Sequence, residues 1–370
     1  MEKAKVYFTD MRTESMGKNL LQKLETLIRA AGIEKINFEN QYTAIKLHFG
    51  EPGNLAFLRP NYAKVVADVV KSLGGKPFLT DCNTLYVGGR KNALDHLDSA
   101  YVNGFSPFST GCHVIIADGL KGTDECLVPL EDGEYVKEAK IGRAIMDADV
   151  FISLNHFKGH EMAGFGGALK NIGMGCGSRA GKMEMHSAGK PEVNQEPCIG
   201  CGRCSRICAH EAAVVTNRKA TIDREKCVGC GRCIGVCPTD AIHSLYDISN
   251  TVMNKKVAEY TKAVLDGRPH FHISLVIDVS PFCDCHGEND VAIVPDVGMF
   301  ASFDPVALDV ACADAVNRQP AMQNSLLAKH DHECDDHFKA IGPTTDWRSA
   351  VEHAEKLGIG TQQYELITVK

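Results

Sequence analysis

With 40 Lys and Arg against 47 Asp and Glu in 370 residues, the chain carries a formal net charge of -7. Its 44% apolar and 24% charged residues are an ordinary globular balance, and its length suits one large α/β body with an insert, or two domains. The basic residues are scattered, which argues against a nucleic-acid partner, and no apolar run approaches a membrane span.

The N-terminal stretch MEKAKVYFTD reads as a first strand and not as a signal peptide, so a cytoplasmic location with no membrane partner is expected. From there to residue 187 the pattern alternates. Apolar β-rich runs at Lys5–Thr9, Thr43–Phe49, Pro77–Thr80, His113–Ala117 and Val150–Leu154 are separated by helical stretches at Lys18–Ala31, Asn61–Leu73, Lys91–Val102 and Ile141–Asp147. The alternation predicts βαβ units and an α/β fold with a mostly parallel sheet. Several strands run into polar loops at their carboxyl ends, where such sheets bind ligands: His48, Gly50 and Glu51; Asp81 to Thr84; and Asn155 to His160, with His156 among them.

Composition changes near residue 188. Through residue 247 the chain is rich in Cys and Gly and contains a duplication: Cys198-Ile-Gly-Cys-Gly-Arg-Cys204 returns 29 residues later as Cys227-Val-Gly-Cys-Gly-Arg-Cys233. Beyond it the α/β pattern resumes, with a helix expected at Val252–Leu265, strands at Phe271–Val279 and near Val291–Val294, a helix from Pro305 to Val316, a helix at Trp347–Leu357 and a last strand at Tyr364–Val369. Asp304 suits a helix N-cap, with Pro305 at the first helical position.

The chain has 16 cysteines. Clustered at two-residue gaps in a large chain, they point to metal and not to disulfides. Two runs have the form C-x2-C-x2-C-x3-C: Cys198, Cys201, Cys204 and Cys208, then Cys227, Cys230, Cys233 and Cys237. Three thiolates at this spacing wrap one face of an iron–sulfur cube, and the fourth reaches the other cube. The expected sets are Cys198, Cys201, Cys204 and Cys237 for one [4Fe–4S] cluster, and Cys227, Cys230, Cys233 and Cys208 for the other. Zinc is a poorer match, since tetrahedral zinc sites favour separated C-x2-C pairs. The segment resembles bacterial-type two-cluster ferredoxins, which implies one-electron transfer at low potential. Residues 1–187 and 248–370 are then two parts of one α/β body interrupted by a ferredoxin-like (α+β) insert at 188–247.

A second constellation follows the Val150–Leu154 run. In the stretch from His160 to Gly175, Gly164, Gly166 and Gly167 let backbone approach a bound group, and Lys170 is followed sixteen positions later by His186. Two imidazoles and an amine near a strand end can move protons or hold a metal. Together with Gly181-Lys182, His186-Ser187, Cys283-Asp284-Cys285, Pro295-Asp296 and the run from Asp304 to Asp309, these residues resemble the uncharacterised family known as DUF362 over nearly the whole chain. More distantly, the His160–Lys170–His186 pattern is similar to the nickel-pincer lactate racemase family. That similarity implies Lys170 as the tether of a cofactor, His186 as a nickel ligand and His160 as the acid/base. Gly164, Gly166, Gly167 and Lys182 are the expected cofactor-binding residues. Asp81 and Thr84 fall where that family has a substrate loop, but Leu85 replaces its arginine.

Of the other cysteines, Cys283 and Cys285 follow a predicted strand and Cys176 closes the Gly-rich stretch. Together they suggest an additional zinc, iron or nickel ion, or a third cluster, with a redox-active thiol pair as the rival reading. Cys112, Cys126 and Cys312 sit in apolar settings and are expected in the core. The stretch from His330 to His337, with His332 and Cys334, reads as a solvated loop. No G-x-G-x-x-G or Walker loop is present.

The expected function is transfer of electrons through two clusters to a site on the α/β body, as in a redox enzyme. A ferredoxin, flavodoxin or reductase is the expected donor, and a small molecule the expected substrate. A bare electron carrier and a non-redox epimerase-like or group-transfer enzyme are the alternatives.

Overall fold

The run Val150–His156 is buried along its whole length, as a strand covered on both faces must be. In the computed structural model, which describes residues 3–370 except residues 87, 187–188, 246–247 and 331–334, this strand lies inside an eight-stranded sheet. From one edge the strands are Tyr364–Thr368, Ala4–Asp10, Gly298–Ser302, His270–Val276, Val150–His156, Tyr42–Lys46, Lys76–Asp81 and His113–Ile116. Gly298–Ser302 runs against both its neighbours, and the other pairings are parallel. The fold is therefore α/β with a mostly parallel sheet.

Each face of the sheet has its own apolar core. Helices Leu20–Ala30 and Pro60–Ser72 bury Leu24, Leu27, Val66 and Val70 on one face. Helices Ala168–Cys176, Asn250–Leu265 and Pro305–Asn317 cover the other with Leu169, Ile172, Val257 and Leu308. Asp304 caps the last of these, accepting the N–H groups of Val306 and Ala307 at 2.9 Å.

The sheet draws strands from both sides of the Cys-rich segment: Val150–His156 pairs in parallel with His270–Val276, with Leu154 opposite Ile273. Between them, Pro191–Val193 pairs with Ile242–Ser244 and Ala213–Thr216 with Lys219–Ile222, around the short helices Arg203–Ile207 and Arg232–Val236.

Two elements differ from expectation. No strand forms at Val291–Val294; that segment is a loop tied by the Ile293 N–H to the Val279 carbonyl at 2.8 Å. The strand is Gly298–Ser302 instead, whose Gly-Met-Phe-Ala-Ser sequence has no β-branched residue to announce it and which forms because it is buried between two partners. The helix expected from Ile141 shrinks to Arg143–Met146, because Glu138–Gly142 pairs with Glu125–Pro129 in a hairpin. Among the described residues no helix is long and apolar enough to cross a membrane.

Candidate functional site

From Tyr42–Lys46 the chain steps outward to Lys76–Asp81 and His113–Ile116. From the adjacent Val150–His156 it steps the other way, to His270–Val276. Loops leaving these two strands diverge and open a crevice at their carboxyl ends. A cavity of about 700 Å³ lies there, lined by His48, Glu51, Asp81, His156, His160, Gly166, Gly167, Lys170, Lys182, His186, Cys283 and Cys285. Polar loops scattered over some 240 residues of sequence thus meet at one place.

One wall is a buried charge network. Lys46 Nζ lies 3.0 Å from Asp81 Oδ1, Arg90 Nη1 lies 3.4 Å from Asp81 Oδ2, and Arg90 Nε lies 2.9 Å from Glu51 Oε2. Burial works against ionisation of Asp81, but Lys46, His96, His48 and Arg90 outweigh it and hold the carboxyl below the usual carboxylate range. Burial pushes His48 well below its ordinary value. Sequence reasoning missed Lys46 and Arg90. A lysine closing the otherwise apolar run Thr43-Ala-Ile-Lys46 was a signal for the first; nothing local marks the second.

A second stretch of the lining carries Cys283-Asp284-Cys285. Its turn is closed by the His286 N–H on the Cys283 carbonyl at 3.1 Å. Asp284 is fully buried between His156 Nδ1 at 2.9 Å and Lys158 Nζ at 3.2 Å. Burial opposes its ionisation, and these two groups overcome it. Lys170 donates from Nζ to Cys283 Sγ at 3.4 Å. Burial would lower the Lys170 pKa, but the sulfurs of Cys283 and Cys285 raise it well above the ordinary lysine value. Cys283 is in turn lowered by its hydrogen bond with Cys285 and, against burial, by Lys170 and His160, while Cys285 moves up. One ligating atom each from His160, Cys283 and Cys285 lie within 4.8 Å of one another, as do those of Glu161, Cys285 and His286, so either set is close enough to hold a metal ion. His160 Nδ1 accepts the N–H groups of Met162 at 3.1 Å and Ala163 at 3.0 Å.

Lys170 is positioned by its helix. Asp309 reaches from the Pro305–Asn317 helix to accept the N–H groups of Ala168 at 2.6 Å and Leu169 at 2.9 Å, and a Cβ at Gly167 would collide with that carboxylate. Burial pushes Asp309 up to about 7. The next helix, Arg179–His186, turns Lys182 and His186 toward the cavity, and burial pushes His186 down to about 3. Lys182 Nζ donates to the Gly177 carbonyl at 2.6 Å.

Three residues sit elsewhere than expected. Cys176 faces the core beneath the helix and does not line the cavity; burial pushes its thiol up to about 12. Gly164 packs against Trp347, where a Cβ would lie 2.9 Å from the Trp347 Cβ, at a φ of +89° that favours glycine. Cys126 is half-exposed on a hairpin, with Arg143 Nη1 at 3.2 Å, whereas Cys112 and Cys312 are buried. His332, Cys334 and Ser187 lie outside the described residues; His337 Nε2 donates to the Gln319 carbonyl at 2.9 Å.

The Cys-rich segment forms two small cavities. Cys198, Cys201, Cys204 and Cys237 line one; Cys227, Cys230, Cys233 and Cys208 line the other. Backbone N–H groups are aimed at sulfur: Ala220 at Cys198 and Ala212 at Cys208, each at 3.3 Å. Burial and the neighbouring Cys230 and Cys227 push Cys233 up to about 12. The helix carrying Lys182 and His186 also carries Met183, which packs in the apolar cluster of Cys198, Cys204 and Cys233, and Leu85 joins that cluster while lining the large cavity. The apolar cluster that holds these cysteines therefore extends, through Leu85, to the lining of the large cavity.

A family model described as a domain of unknown function (DUF362) matches residues 43–314. The thylakoid-associated protein sll1697 of Synechocystis sp. is 25% identical over 150 residues, 39% of this chain and 40% of that protein. A crystal structure of a Thermotoga maritima protein aligns at a TM-score of 0.37 with 11% identity, covering 69% of this chain and 49% of that one. The lactate racemase apoprotein from Thermoanaerobacterium thermosaccharolyticum aligns at 0.35 with 11% identity, covering 74% and 51%. The chain thus spans about half or less of the length of each, and at these scores the structural likenesses carry no argument about chemistry.

Proposed function

This chain belongs to the DUF362 family, and we propose that it is an iron–sulfur redox enzyme that takes electrons through two [4Fe–4S] clusters to a small-molecule site in the cavity of its α/β body. The observation that carries the reading is the pair of four-cysteine cavities, whose apolar cluster includes Leu85, a residue that also lines the larger cavity.

The residues fit the group. Four sulfurs around each small cavity are the donor set of a cubane cluster, with one cysteine of each run crossing to the other set. N–H groups directed at Cys198 and Cys208 are the hydrogen bonds that tune such sulfurs. Arg179 is fully buried beside Gly231 and Gly235, within electrostatic reach of Cys233, and its Nη1 has no hydrogen-bond partner among the described residues. A buried guanidinium there suits an anionic group on Cys233. Bound clusters of this kind supply one electron at a time. A bare carrier needs no 700 Å³ cavity lined by titratable groups, which favours an enzyme over an electron-carrying adaptor. The electron donor is a soluble low-potential protein, such as a ferredoxin, flavodoxin or reductase, in a reducing cytoplasm.

Iron and acid-labile sulfide on oxygen-free protein, with EPR after reduction, test the first half. Near-zero iron after reconstitution overturns it. For the second half, Lys170→Met and His186→Ala proteins are expected to keep both clusters and lose the cellular role; variants that keep the role overturn the enzyme reading.

A further inference from the structure

We infer that Cys283 and Cys285 form a redox-active dithiol–disulfide couple in the wall of the cavity, reducing a small-molecule disulfide that enters it. The inference rests on the iron–sulfur reading for its source of electrons.

Both cysteines line the cavity, and their sulfurs lie within 4.8 Å of each other across one intervening residue. Their turn is held from three sides: by the His286 N–H on the Cys283 carbonyl, by Asp284 in its clasp of His156 and Lys158, and by the Glu51 N–H on the Asp284 carbonyl at 2.9 Å.

The His160 imidazole argues against a metal bound by the His160–Cys283–Cys285 set. A ligating histidine donates its outer N–H to an acceptor and turns a bare nitrogen to the ion. His160 does the reverse: Nδ1 accepts two backbone N–H groups. In the neutral ring the proton then sits on Nε2, which makes that nitrogen a donor. Lys170, with Nζ 3.4 Å from Cys283 Sγ, supplies a fixed cation for a thiolate.

The electron count matches the molecule. A disulfide takes two electrons, and two one-electron clusters deliver two. On reduction the Cys283–Cys285 S–S bond breaks and takes up two electrons and one proton. Cys283 becomes a thiolate beside Lys170, and Cys285 a thiol. In the forward reaction the Cys283 thiolate attacks one sulfur of the substrate disulfide and expels the other as a thiolate, which takes the Cys285 proton. The Cys285 thiolate then resolves the mixed disulfide, restoring the Cys283–Cys285 bond and expelling the second substrate sulfur as a thiolate, which takes its proton from water.

The test uses cluster-loaded protein without oxygen, exposed to 2-hydroxyethyl disulfide and digested without reductant. The expected result is a peptide with Cys283 and Cys285 linked and two hydrogens lighter, absent from Cys283→Ser and Cys285→Ser proteins that retain their iron. Reduced methyl viologen is expected to reopen it with two electrons per chain. Loaded protein in which the linkage never forms, or in which both thiols resist alkylation until a chelator removes an equivalent of metal, overturns the couple and leaves the iron–sulfur reading standing. A linkage that opens with dithiothreitol but never with viologen overturns the electron route, and protein that forms the linkage but holds no iron overturns both.

Discussion

Lys170 sets its ammonium 3.4 Å from the Cys283 sulfur, although 113 positions separate them in sequence. Each partner favours the charged form of the other. Removing the ammonium by Lys170→Met withdraws an attraction that favours thiolate, so the Cys283 pKa is expected to rise toward the ordinary thiol value of 9.0. The rate of Cys283 alkylation by iodoacetamide, followed peptide by peptide against pH, reports this. The midpoint of that rate profile should move to higher pH, and at pH values below the midpoint the rate should fall by about tenfold for each unit of displacement.

The Lys46–Asp81–Arg90–Glu51 network makes a separate prediction. Asp81→Ala leaves Lys46 and Arg90 buried with less countercharge, a change that typically costs about 3–5 kcal/mol. The urea midpoint is expected to fall accordingly. Because Asp81 and Asp284 are held below 3.8 in the folded chain, their contribution is fully present above pH 3.8 and is lost as pH falls through the lower folded values. Acid unfolding should therefore begin at higher pH in the Asp81 variant than in the parent.

Asp309 acts in the opposite sense. Burial raises it from 3.8 to about 7 against the N–H groups it accepts. Between those values the folded state binds more protons than the unfolded state, so this residue makes stability fall as pH rises from 3.8 to 7. Asp309→Asn should flatten that slope, whatever its cost in helix capping. Denaturant unfolding at pH 5 and pH 8 measures the difference.

The crossing of the cysteine sets is open to test by protection. Cys208 stands in the first run but shares a cavity with Cys227, Cys230 and Cys233. Cys208→Ala should lower bound iron by about half and expose Cys227, Cys230 and Cys233 to alkylation, while Cys198, Cys201 and Cys204 stay protected. Cys237→Ala should do the converse.

How much of this was legible in the sequence follows from distance along the chain. The cysteine runs and the stretch from His160 to Lys170 are local patterns, in which spacing along a short loop or helix already restricts where a side chain points. The alternation of strands and helices was legible for the same reason. The Gly298–Ser302 strand was not, because burial between two neighbours and not its own residues makes it a strand. Cys176 resembled a site residue by position, but the rotation of its helix turns it to the core.

The amino-acid order by itself determined a parallel α/β body, a duplicated set of eight thiols and a pool of polar residues at strand ends. Tertiary structure alone decided which of these meet: Arg90 with Glu51, His156 with Asp284, Lys170 with Cys283. The physical reason is that local geometry is set by neighbouring residues. Partners from distant segments are chosen by the order in which buried strands pair, and that order opens the chain between Tyr42–Lys46 and Val150–His156.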